Sequence, residues 1–147
     1  MIKYKKIEHN ISSLFPKLKK QLALDKDVIF AYIFGSYGIG KPNPLSDIDI
    51  AIYIANAKDT FKKKMKLIGK IISTLKTEEF DLVILNDAPM SLQFQVLKTG
   101  RLLFSKNDKV RINFAAKTYS LSCDYEPLKQ IAIKRLIQRS RDRKIGT

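Results

Sequence analysis

Gly35-Ser36-Tyr37-Gly38-Ile39-Gly40-Lys41-Pro42-Asn43-Pro44-Leu45-Ser46-Asp47-Ile48-Asp49-Ile50 is the stretch that decides how this chain is read. It follows the apolar run Val28-Ile29-Phe30-Ala31-Tyr32-Ile33-Phe34 and leads into a second one, Ile50-Ala51-Ile52-Tyr53-Ile54. Both runs are short, continuous and rich in β-branched and aromatic residues, which predicts two buried strands. Between them a Gly-Ser turn ends the first strand, and Lys41-Pro42-Asn43-Pro44 forms a turn that no helix or central strand accepts.

Two acids stand at the head of the second strand. Residues two apart on a strand project to one face, with Cα atoms roughly 6.6–7 Å apart, so Asp47 and Asp49 point together while Ile48 and Ile50 enter the core. Two carboxylates sharing one space repel unless a cation lies between them. Oxygen ligands of this kind suit Mg²⁺, which takes one or two carboxylates and completes its shell with substrate phosphates. On the other side of the turn, Gly35 permits close backbone approach, Ser36 offers a hydroxyl and backbone N–H groups to an anion, and Lys41 adds positive charge. No Gly-Lys-Ser/Thr follows, so this is not a P-loop. Asp81, in Phe80-Asp81-Leu82-Val83-Ile84, opens a third strand-like run. If the strands are neighbours it reaches the same site, to bind metal or to accept the proton of an attacking hydroxyl.

Working outward, Ile7, Ile11, Leu14, Leu18 and Leu22 form a helical stripe, interrupted by Pro16 where a fresh helix is expected to start. Phe61, Met65, Ile68, Ile72 and Leu75 recur at helical spacing, with Lys62, Lys63, Lys64, Lys66 and Lys70 between them. This predicts an amphipathic helix with that apolar stripe as its face. Met90 to Lys98 reads as a helix with Gly100 as C-cap, Arg101 to Phe104 as an edge strand, and the region from Asn107 onward as helical, with Pro127 a kink or restart. Strands separated by helices give an α/β class, bordering on α+β: a small mixed sheet flanked by helices. The expectation is a single domain over 1–147, its core over about 11–105 and a helical C-terminal segment over about 107–143.

Composition limits the function. The 147 residues carry 28 Lys and Arg against 14 Asp and Glu, a net charge of +14. That excess favours an anionic partner: nucleotide, RNA or an acidic protein surface. No apolar run approaches the ~20 residues of a membrane span, and the start lacks a signal-peptide core. One cysteine, Cys123, rules out an internal disulfide. A cytoplasmic protein with no membrane partner is expected. His9, the single histidine, cannot build a zinc site, and Tyr119 and Tyr125 read as packing residues of the last helices. The basic stretch from Lys134 to Lys144 offers a solvated face or a contact for protein or RNA.

Gly-Ser, ten residues, then Asp47-Ile48-Asp49 resembles the signature of the minimal nucleotidyltransferases of the polymerase-beta-like superfamily. Ser46-Asp47-Ile48-Asp49-Ile50 is similar to that family's Ser-Asp-Ile-Asp-Leu, and Asp81 in Phe-Asp-Leu-Val matches its third carboxylate. Ala88-Pro89, Gly100 to Phe104 and Asp124-Tyr125 resemble its weaker features. The resemblance implies the nucleotidyltransferase fold and Mg²⁺-dependent transfer of AMP from ATP. It implies that Gly35 and Ser36 hold the triphosphate, that Asp47 and Asp49 carry the metals, and that Asp81 completes the metal site and activates the acceptor. Where the family often has an arginine in the turn, this chain has Lys41, which supplies charge without a bidentate fork. Stand-alone members of this length resemble antitoxins that adenylylate a tyrosine of a HEPN-domain RNase toxin. The acceptor rests on that resemblance alone. Transfer to a small molecule or a nucleic-acid 3′ end, and a binding-only antitoxin, remain open alternatives.

Overall fold

The computed structural model describes residues 11–42, 47–56 and 58–122, and single positions from 130 to 138 (130, 131, 133–135, 137 and 138). His9, Cys123, Tyr125, Pro127 and most of the basic C-terminal stretch lie outside the described residues.

A 3-10 turn over Ile11–Leu14 runs into helix α1, Phe15–Ala23, with Pro16 in its first turn, where a missing N–H costs nothing. Strand β1 is Val28–Phe34, followed by the one-turn helix α2, Gly35–Gly38. Strand β2 is Ile48–Ile54, helix α3 Thr60–Leu75, strand β3 Phe80–Ile84, helix α4 Met90–Thr99, strand β4 Arg101–Ser105 and helix α5 Asp108–Ser122. The four strands form one sheet in the order β3-β2-β1-β4. β1 runs antiparallel to β2 and β4, whereas β2 and β3 are parallel, joined through α3. The sheet is therefore mixed and flanked by helices, in agreement with the class expected from the sequence.

Strand alternation sorts the core into two layers. Ile48, Ile50, Ile52 and Ile54 of β2 face α1 and α3, packing with Leu18, Leu22, Leu67, Ile71 and Leu75. Ala51 of β2, with Phe30, Tyr32 and Phe34 of β1, faces α4 and α5, where Val96, Leu97, Ala115 and Tyr119 cover them. Tyr119 is a packing residue as expected, its ring 5.3 Å from Phe94. Leu18 and Leu22 are fully buried, each worth about 1.5–3 kcal/mol relative to exposure.

Two expectations change. The α3 stripe is rotated: Leu67, Ile71, Thr74 and Leu75 are the buried positions, while Phe61 is 76% and Met65 51% exposed. The helix docks through Leu67, Ile71 and Leu75, each four residues from the next. Ile68 and Ile72 lie at the margin of that contact and are half-buried. The overlapping 3–4 spacings of the two stripes cannot be told apart by periodicity. The second change concerns the conformation of Gly100, which is the C-cap of α4 as expected but in extended backbone (φ −78°, ψ 150°) in place of a left-handed one. What it requires is room, because a Cβ there would collide with Val96 O and crowd Tyr32 Cδ1.

Candidate active site

β1 ends at Phe34, which sits in register with Asp49 of β2. Beyond it the chain turns sharply at Gly35, φ +66°, into α2. This left-handed conformation favours glycine, and a Cβ at Gly35 would overlap Asp49 Oδ2. The turn and the carboxylate are thus in direct contact, with Asp49 Oδ2 filling the place a side chain at residue 35 would take.

The turn is fastened from several sides. The Gly35 N–H donates to Thr99 Oγ1 (3.3 Å), and that hydroxyl donates to Gln95 O (2.9 Å). Gly38 is pressed against Thr99 O and Ile33 O, leaving no room for a side chain. The Ile39 N–H returns to Gly35 O (3.1 Å) and the Lys41 N–H to Ser36 O (3.0 Å), closing the turn on itself. Tyr37 anchors its inner side: the ring is buried edge-on against Phe15, centroids 6.0 Å apart, and burial pushes the phenol above its ordinary pKa. Gly35 and Ser36 remain half-exposed, and Lys41 is exposed beyond the end of α2.

Asp49 pairs in register with Asp81 across the parallel β2–β3 ladder, a spacing of about 5 Å between strands. Both stand on the α4–α5 face by alternation with Ile48, Ile50, Phe80 and Leu82, which are buried on the other. Asp47 is half-buried and immediately precedes β2, two residues from Asp49. Asp81 is exposed at the sheet edge. The structure therefore brings Gly35, Asp49 and Asp81 to one end of three neighbouring strands. Among the described residues, no three His, Cys, Asp or Glu side chains are gathered into a ready-formed metal site. Asp81 accordingly stands as a lateral neighbour of Asp49, and the acidic set is not a closed three-ligand cage.

The donor chemistry still fits Mg²⁺, which binds through one or two carboxylates and leaves positions for water and phosphate. Sequence reasoning missed Thr99, which lies 64 residues from the turn that it holds. No local pattern marks a threonine at a helix end as the acceptor for a distant N–H.

A mixed four-stranded sheet with a Gly-Ser turn against one of a pair of strand-head aspartates defines a nucleotidyltransferase fold. The chain belongs to the family described as Polymerase beta, Nucleotidyltransferase, which matches residues 16–109.

Among individual proteins, it is 37% identical over 90 residues to the protein adenylyltransferase MntA of Shewanella oneidensis. That match covers 61% of this chain and 63% of the relative, so the chain spans less than two-thirds of the curated relative's length. A solved toxin–antitoxin complex with AMP-PNP superposes at a TM-score of 0.61 and 29% identity, covering 86% of this chain and 98% of the neighbour. The tri-AMPylated Shewanella oneidensis HEPN toxin in complex with MNT antitoxin gives 0.61 and 28%, covering 87% and 99%. Among the described residues no helix is long and apolar enough to cross a membrane.

Proposed function

We propose that this chain transfers AMP from ATP to a protein hydroxyl, with a tyrosine of a HEPN toxin as acceptor, and so acts as its antitoxin. The observation that carries this reading is the contact of the Gly35 turn with Asp49, with Asp81 in register beside it. In this reading Gly35 and Ser36 cradle the triphosphate with backbone N–H groups and the Ser36 hydroxyl, and Lys41 adds charge at the mouth. Asp47 and Asp49 would hold Mg²⁺, which would supply neutralisation of the phosphate charge. The acceptor oxygen attacks the α-phosphorus, the bond to the β-phosphate oxygen breaks, and pyrophosphate leaves. Asp81, at the open edge, takes the hydroxyl proton. The similarity to MntA and to a complex holding a tri-AMPylated toxin supports the acceptor class.

The test is incubation with Mg²⁺, ATP and a purified HEPN-domain toxin partner, followed by intact mass of that partner. An increase by one or more AMP groups, absent with Asp47→Ala/Asp49→Ala, is expected. No increase with the wild type refutes the reading. Full neutralisation of toxicity by the double variant would favour antitoxin action by binding alone.

A further inference from the structure

The rotation of α3 leaves an apolar strip that is only partly taken into the core: Ile68 and Ile72 pack against it, and Phe61 and Met65 stay exposed. Phe61 and Met65 are its most exposed members, and Ile68 and Ile72 continue it at +3 and +4. Such a strip on one helix face covers about 16 Å from Phe61 to Ile72. Its upper end opens into a groove of about 310 Å³, lined by Lys64, Ile68, Ile72, Phe80, Asp81 and Leu82 among others. A second groove, of about 250 Å³, continues from Lys64 and Leu82 along β3 to Ile84 and Leu92. Among the described residues β3 pairs only with β2, so its outer edge is open along both grooves.

Gly69 adds a separate sign. It lies in the middle of α3, four residues after Met65 and three before Ile72, and is exposed. A Cβ there would meet nothing within 4 Å. Glycine inside a helix costs about 0.5–1 kcal/mol relative to alanine, and among the described residues no packing requires it. Its place beside the strip suits a partner backbone that comes close.

We propose that the acceptor protein docks on this α3–β3 face, covering Phe61, Met65 and Gly69 and delivering its hydroxyl over the β3 edge to Asp81. The proposal rests on the transferase reading. It follows from continuity: the groove that begins at the strip ends at Asp81, so a protein supplying the attacking oxygen there lies over the strip. Aromatic and Met side chains are the residue types that anchor protein interfaces. Lys62 and Lys64 flank the strip while Glu78, Asp81 and Asp87 line the two grooves, so the matching surface is apolar at its centre and mixed in charge at its rim.

The test compares wild type with Phe61→Glu/Met65→Glu, both at exposed positions, by measuring affinity for the HEPN acceptor without nucleotide and AMP transfer with it. Expected are a loss of about tenfold or more in affinity and a matching rise in KM for the acceptor, with AMP-PNP binding unchanged. Gly69→Leu is expected to weaken acceptor binding in the same direction. Unchanged acceptor affinity in both variants overturns the docking face, whatever the transfer rate. Affinity that survives in them and is competed by single-stranded RNA likewise overturns it. Binding that is lost in the variants while even the wild type transfers no AMP upholds the docking face and refutes the transferase reading instead.

Discussion

Gly35 and Asp49 are built around one another: the first lacks the atom that would collide with the second's Oδ2. The contact joins the end of β1 to the head of β2 through the register pair Phe34–Asp49. Gly35→Ala must therefore leave the left-handed conformation or push the carboxylate aside. The first costs about 1–2 kcal/mol, and a displacement near 1 Å costs roughly 10²-fold in turnover. Steady-state AMP transfer is expected to fall by about that factor while the circular dichroism spectrum is retained. Wild-type turnover in Gly35→Ala would show that the contact is incidental.

The proposed function gives the two acids of the register pair separable roles. Asp49→Asn removes a ligand charge beside the triphosphate, and transfer is expected to drop by roughly 10²–10³-fold. Mg²⁺-dependent AMP-PNP affinity should fall with it. Asp81→Asn leaves the phosphate side intact, so AMP-PNP affinity should stay within about twofold while transfer falls by roughly 10²-fold or more. Calorimetry with AMP-PNP and single-turnover transfer distinguish them. Equal losses of nucleotide affinity in both variants would assign Asp81 to the metal shell.

The legibility of the chain follows the range of the interactions involved. β1, β2 and β3 were readable because strand-length apolar runs bounded by turn residues have few alternatives. Asp49 is readable as a strand-head acid, whereas Asp47 lies one residue before β2, where strand alternation no longer fixes its face. The expected α3 stripe, Phe61-Met65-Ile68-Ile72-Leu75, holds at Leu75 and partly at Ile68 and Ile72 but fails at Phe61 and Met65, because Leu67-Ile71-Leu75 is an equally helical spacing and only the partner surface, α1 and the sheet, chooses between them. Gly100 caps α4 as expected, but its requirement comes from Val96 and Tyr32, contacts that no local pattern records. Thr99 and the register of Asp81 with Asp49 are tertiary facts, and the strand order that creates the second was only a condition in the sequence reading.

At the end of the sheet remote from the turn, Asp25 anchors α3. Lys70 Nζ donates to Asp25 Oδ2 at 3.1 Å. Burial pushes the Asp25 carboxyl up, but the Asp27 N–H, the Lys70 hydrogen bond and charge, and the Lys66 charge outweigh it and hold the pKa below its ordinary value. A carboxyl lowered in the folded state contributes stability above its unfolded pKa of about 3.9, and loses it as pH falls through the folded pKa. Lys70→Met is expected to cost about 1 kcal/mol at pH 7, and progressively less once acid protonates the folded Asp25 carboxyl. Urea unfolding at neutral and acid pH measures the difference, and an equal cost at both would assign the effect to packing of the Lys70 stem.

Gly69 separates stability from function in a single position. Its exposed place inside α3, with nothing near a Cβ, makes Gly69→Ala sterically free, and the substitution removes backbone freedom from the unfolded chain. A gain of about 0.5–1 kcal/mol is expected, which raises Tm by about 2–4 °C for a domain of this size. The helix runs uninterrupted from Thr60 to Leu75, so no kink is relieved or created by the change. Thermal unfolding by calorimetry at fixed protein concentration reads the gain directly. AMP-PNP affinity should not move, because Gly69 lies on α3 and outside the β1–α2 turn and the β2 head. A lower Tm for Gly69→Ala would mean that the glycine answers a need within the chain itself, and its place beside Met65 and Ile72 would then say nothing about a partner.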